Sequence, residues 1–149
     1  MSISDINSAE ELLKTNESAA FLTSGASMRP LIRNHKDIVV IGRAAHPLKV
    51  GDVPLYKKNG AKNLILHRII GVTDDGVYIT RGDNTYHKEY IPQSDVVGVM
   101  TSIYRGGKYI DCNTSKGYKA YVALNKFFYP MRFLWKAKIR AALGKIKRK

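Results

Sequence analysis

The chain has 149 residues, 44% of them hydrophobic, and a net charge of +13. That length allows one domain with a real core plus a tail. The single cysteine, Cys112, excludes an intramolecular disulfide and a cysteine-built metal cluster, and leans towards a reducing compartment.

The charge is unevenly placed. Met1–Ser115 holds 14 Lys and Arg against 12 Asp and Glu, a balance of +2, whereas Lys116–Lys149 holds 11 basic residues and no acid, or +11. A nearly neutral domain therefore carries a cationic appendage. Met1–Asn16 is polar and includes Asp5, Glu10 and Glu11, so the reading there is of no signal peptide and no N-terminal membrane anchor.

In chain order, Ser8-Ala9-Glu10-Glu11 fits a capping box, with Ser8 as cap and a short helix running to Thr15. Strand signals follow at Ala19–Thr23, Asp37–Gly42, Val53–Lys57, Asn63–Val72, Val77–Arg81 and Asp95–Tyr104, with a return at Tyr109–Cys112. Asp74-Asp75-Gly76 and Gly106-Gly107 are hairpin turn signals. Pro54 predicts that its strand is an edge or starts late. Many short strands between Gly, Pro and Asn turns mean an all-β domain.

From Tyr118 the period becomes helical. Tyr121, Leu124, Phe128, Met131, Trp135, Ile139, Ala142 and Ile146 recur every three or four residues, as one amphipathic helix or as two broken near Pro130. Charge interrupts the stretch too often for it to span a bilayer. A basic helix with aromatics on its apolar side reads as interfacial, with Lys126, Arg132, Trp135, Lys136 and Arg140 at the membrane surface. The aromatics follow the apolar face rather than forming a base-stacking platform, so no nucleic acid is expected as a partner.

Three short motifs carry chemistry. Ser24-Gly25-Ala26-Ser27-Met28-Arg29-Pro30 suits a tight turn that exposes the Ser27 hydroxyl. His67 sits in an apolar run, where desolvation favours the neutral imidazole a general base must be. Asp83 follows Gly82 at a strand end, where a carboxylate can orient that imidazole. Taken singly, each has a plainer reading: a turn serine, a core histidine and an aspartate capping its own turn.

The ordered series changes the balance. Ser24–Leu31, Gly51-Asp52-Val53, His67-Arg68-Ile69-Ile70-Gly71 and Arg81-Gly82-Asp83-Asn84 together resemble the four boxes of the signal peptidase family of serine proteases, over Phe21 to Met100. Most bacterial housekeeping members have lysine where this chain has His67, so it is similar to the histidine-base type of the endoplasmic reticulum and spore formers.

The resemblance implies a mainly β, signal-peptidase-like protease fold over Met1–Ser115 and a basic helical tail over Lys116–Lys149. It implies a membrane-surface serine endopeptidase that cleaves a signal, leader or other membrane-proximal peptide. Ser27 is then the nucleophile, His67 the base and Asp83 the orienting acid, with Glu89 the second candidate for that role. The Ser27 N–H is the natural oxyanion donor, and Gly25, Met28 and Pro30 line the groove; Gly25 stands where many relatives carry a second, side-chain donor. Arg68 is expected to form a structural ion pair near the base. His35, His46 and His87 read as surface residues.

No metal or cofactor is implied. The expected partners are a peptide or protein substrate and an anionic membrane surface, with a peripheral location on the cytoplasmic face. Two alternatives stand. One is a catalytically silent peptide-binding or membrane-adaptor module. The other is a repressor-type self-cleaving domain, which shares a Gly-x-Ser-Met box but uses lysine as base and carries an N-terminal DNA-binding domain.

Overall fold

Alternation of buried and half-exposed residues along the strands builds one curled antiparallel sheet with a smaller sheet beside it. The computed structural model describes residues 1–3, 6–58, 63–129 and 131. Two compact units divide the chain, Met1–Ser115 and Lys116–Lys149. The fold is mainly β, with a short N-terminal helix and a C-terminal helix.

The elements of the first unit are β1 (Ser2–Ile3), α1 (Ile6–Thr15), β2 (Ser18–Leu22), β3 (Ile38–Gly42), β4 (Pro54–Tyr56), β5 (Leu64–Leu66), β6 (Arg68–Val72), β7 (Tyr78–Arg81), β8 (Glu89–Ile91), β9 (Val96–Arg105) and β10 (Lys108–Asp111). The larger sheet runs β1-β5-β4-β9-β3-β2, and β10 also pairs with β9; the smaller sheet is β6-β7-β8.

The predicted strands are present, joined by the unpredicted β1 and β8, and the elements differ from expectation as follows. The run Asn63–Val72 is not one strand. It breaks at His67, so that β5 joins the larger sheet and β6 the smaller. Of the two readings of Pro54, the late start is the one met: β4 begins at Pro54 rather than Val53, and it lies between β5 and β9 rather than at an edge. A strand's first residue tolerates proline's missing N–H. The helix α1 starts at Ile6, two residues before the expected cap Ser8. Its Ala9 and Leu13, four apart on one face, are buried.

The turns follow their chemistry. Gly106 and Gly107 both have positive φ, 53° and 79°, and join β9 to β10 in the two-residue hairpin that such φ values favour. The core of the larger sheet is formed by Val39, Ile41, Val53, Leu55, Leu64, Leu66 and Ile103, all essentially inaccessible. Burying each such side chain contributes about 1.5–3 kcal/mol. Leu48, Ile69 and Tyr78 form a further cluster against the smaller sheet.

The second unit begins with a helix, α2, over residues 116–129. Along it Leu124, Lys126, Phe127 and Phe128 are exposed, and the Phe127 and Phe128 rings meet edge to face. Pro130, Arg132, Trp135, Lys136 and Arg140 lie outside the described residues. No described helix is long and apolar enough to cross a membrane.

Candidate active site

The break between β5 and β6 places His67 at the junction of the two sheets, where its ring is buried but still reaches Ser27. Ser27 stands on the turn after β2. That turn is pinned from below by Met28, which is fully buried, and closed by the Ile32 N–H donating to the Met28 carbonyl at 3.0 Å. Ser27 Oγ lies 3.0 Å from His67 Nε2.

The other ring nitrogen faces an acid. His67 Nδ1 lies 3.0 Å from Glu89 Oε2, on the first residue of β8, and 3.2 Å from the Tyr56 hydroxyl. With Nδ1 protonated and donating to the carboxylate, Nε2 is left as an acceptor for the Ser27 hydroxyl proton. Glu89 is itself held. The Tyr56 hydroxyl donates to the same oxygen, Lys58 Nζ donates to Oε1, and Thr80 Oγ1 donates to the Tyr56 oxygen at 3.2 Å.

The Asp83 carboxylate is bonded to Arg68. Arg68 Nε donates to its Oδ1 and Arg68 Nη2 to its Oδ2, both at 2.8 Å, with both side chains almost fully buried. This two-pronged contact is the ion pair expected of Arg68. It occupies the Asp83 carboxylate, so the expectation that Asp83 faces the imidazole gives way to Glu89 in that place. Arg68 Nη1 also donates to the Gly51 carbonyl at 2.7 Å, and Gly51 and Asp52 bond the Ile69 backbone in both directions. The Gly51 box, β6 and the Asp83 box are thereby locked into one frame.

Gly82 brings that frame against Ser27. A Cβ at Gly82 would lie 2.7 Å from the Ser27 carbonyl oxygen and 2.9 Å from Ser27 Cβ, so only glycine fits. The Asn84 N–H donates to the same Ser27 carbonyl at 2.6 Å, and Asn84 Nδ2 to the Ala26 carbonyl at 3.1 Å. Gly25 takes a φ of 102°, a left-handed value suited to glycine, and its N–H donates to Asn34 Oδ1 at 2.7 Å. Pro30 is exposed on the same turn.

The electrostatics suit a neutral base beside an ionised acid. Burial, helped by the nearby Met1 amino group, lowers His67 to about 4, against the opposing pull of Glu89 and, less strongly, of the Asp83 charge. Burial would raise Glu89, but hydrogen bonds from Lys58 and Tyr56, with His67 beside it, hold it at about 2. Tyr56 is raised, first by burial and then by its bond to Glu89, so it stays a donor. The Met1 amino group donates to Ser27 Oγ and lies 3.5 Å from His67 Nε2; burial lowers it to about 6 although Glu89 opposes.

At neutral pH this arrangement can pass a proton from a serine hydroxyl to an imidazole whose other side is fixed. Sequence reasoning missed Tyr56, Lys58 and Thr80, whose side chains act through Glu89, and missed the Met1 segment altogether. His35 and His87 are exposed, and His46 is exposed but bonds the Tyr78 hydroxyl through Nδ1 at 3.1 Å. Compared with models of protein families, with curated proteins and with solved structures, the chain has no match.

Proposed function

We propose that Met1–Ser115 is a serine endopeptidase domain of the histidine-base signal peptidase type, acting on peptides close to a membrane surface. The observation that carries this reading is the continuous contact Ser27 Oγ–His67 Nε2–ring–His67 Nδ1–Glu89 Oε2, with both distances 3.0 Å. The order of the four boxes along the chain supports it independently.

In the proposed reaction Ser27 Oγ attacks the scissile carbonyl carbon while Nε2 of His67 takes the hydroxyl proton. The carbonyl oxygen becomes an oxyanion, for which the Ser27 N–H is the proposed donor. When the C–N bond breaks, the imidazolium gives the same proton to the leaving amine. Water, deprotonated by His67, then releases the acyl group and regenerates Ser27. Glu89 is proposed as the positioning acid, keeping Nδ1 protonated and stabilising the imidazolium. Asp83 is assigned to the frame through Arg68.

The membrane part rests on the second unit. Its +11 charge and the exposed Leu124, Phe127 and Phe128 of α2 suit an anionic bilayer surface. Each basic residue near such a surface contributes about 1 kcal/mol. The test of the nucleophile is reaction with a fluorophosphonate followed by mass-spectrometric mapping. An adduct on Ser27, lost in a folded His67→Ala variant, is expected. A probe that leaves Ser27 unmodified in the folded wild type contradicts the assignment.

A further inference from the structure

The segment Met1–Ile3 has no place in the proposed chemistry, yet it fills the space next to it. It lies between two segments that lead into the proposed nucleophile and base. On one side it pairs with β5, Ser2 opposite Ile65 and Ile3 opposite Leu64, and the Leu66 N–H donates to the Met1 carbonyl at 2.8 Å. Leu66 immediately precedes His67. On the other side the Ser2 N–H donates to the Ser24 carbonyl at 2.9 Å, and the Ser24 N–H returns a bond to the Ser2 carbonyl at 3.0 Å. Ser24 lies three residues before Ser27.

Both edges of a single extended strand are thus satisfied within a slot one strand wide. These bonds are made by backbone, so they do not depend on which peptide supplies them. Selectivity comes from the side chains. Met1 and Ile3, alternate residues of the strand, are 6% and 5% exposed. Ser2 between them is half-buried, with its hydroxyl 3.2 Å from that of Ser24. The strand is short, so its hold on the slot is a handful of bonds that another peptide can replace.

We infer that Met1–Ile3 is an intramolecular occupant of a peptide-binding slot between β5 and Ser24, one that an incoming peptide must displace. The slot takes an extended backbone with apolar side chains at alternate positions and a small polar one between them. Its consequence for activity rests on the protease reading; the binding itself does not.

The experiment uses the full chain and two variants. Ser2→Pro removes the N–H that bonds Ser24, and Ile3→Asp places a carboxylate where an apolar side chain is buried. Circular dichroism reports the fold. Fluorescence anisotropy reports binding of a synthetic Met-Ser-Ile-Ser-Asp peptide labelled at its C-terminus. Fluorophosphonate labelling reports access to Ser27. The inference expects folded variants that bind the peptide at least tenfold more tightly than wild type and label faster, with added unlabelled peptide slowing the labelling again. Loss of the fold in both variants would make β1 a structural staple and overturn it, as would a folded variant that binds the peptide no more tightly than wild type. Tighter peptide binding without labelling of Ser27 in any form upholds the slot and counts against the protease reading instead.

Discussion

His67 Nδ1 and Glu89 Oε2 stand 3.0 Å apart, and Tyr56 and Lys58 hold the carboxylate in that position. Glu89 is therefore fixed by groups that do not touch Ser27. Removing its charge should act on the base without moving the frame. Glu89→Gln should lower kcat about a hundredfold or more, since an imidazole without its carboxylate loses both tautomer control and stabilisation of its cation. Asp83→Asn should behave differently. It leaves the Arg68 guanidinium short of its buried partner and should cost about 3 kcal/mol in stability. Kinetics on folded protein, beside urea unfolding, separate the two effects. A larger kcat loss for Asp83→Asn than for Glu89→Gln, at matched folding, would reverse the assignment.

Only part of this was legible in the sequence. Ser27, His67 and Gly82 each sit in a motif whose spacing and chemistry are local, and local signals survive in a string of residues. Glu89 follows the polar stretch Thr85–Lys88, and the strand it begins has no alternating pattern, so its approach to His67 is made only by the pairing of β7 with β8. Asp83 was the nearer acid in sequence, but Arg68 competes for it with a two-pronged contact that a neutral imidazole cannot match. The break at His67 leaves little mark in the sequence because the apolar residues Leu64–Leu66 and Ile69–Ile70 flank it with only Arg68 between, which gives one nearly continuous strand signal. Two-residue β1 is too short to carry any pattern, and Pro54 gives a late strand start rather than an edge because a strand's first position tolerates proline.

The pH dependence follows from the buried base. With His67 lowered to about 4, the acid limb of kcat/KM should lie below the ordinary histidine value of about 6.5. Because Glu89 raises His67, Glu89→Gln should move that limb to still lower pH while reducing the plateau. An acid limb at or above 6.5 in the wild type would show that the imidazole is not held neutral by burial.

Stability should change in the same direction. The folded His67 binds its proton more weakly than the unfolded one, so the unfolded state takes up protons first as pH falls from 6.5 towards 4. The Met1 amino group, lowered from 8.0 to about 6, adds the same sign between those values. Glu89, also lowered, contributes stability that is present above its unfolded value and lost as pH falls towards 2. Unfolding free energy should therefore rise continuously from acid to pH 8. Urea midpoints at pH 5, 6.5 and 8 check this; a maximum at pH 5 would contradict it.

Gly82→Ala tests the close approach of the frame to the nucleophile. The new methyl group must push against the Ser27 carbonyl and Cβ. Overpacking of this kind costs about 1–3 kcal/mol. Displacing the hydroxyl by even an ångström can cost about a hundredfold in rate. The expected result is a large fall in kcat with a smaller change in KM, measured below the melting temperature of the variant.

The cationic unit should govern membrane attachment and nothing else. Whole protein should sediment with vesicles containing anionic lipid, less so as salt rises, because exposed charges are screened. A chain ending at Ser115 should lose sedimentation and keep hydrolysis of a short soluble peptide, since Ser27, His67 and Glu89 all lie in the first unit. Tight binding of the whole protein to duplex nucleic acid, without vesicle binding at low salt, would replace the membrane reading.

The central claim is that Ser27, activated by His67, breaks peptide bonds. Its most direct test is hydrolysis of a membrane-proximal peptide library by wild type, Ser27→Ala and His67→Ala, each shown to be folded, with products identified by mass spectrometry. The account predicts cleavage by wild type and losses of similar size, at least a thousandfold, in both variants, because the two side chains act as one unit. Cleavage by folded Ser27→Ala at close to the wild-type rate would contradict it.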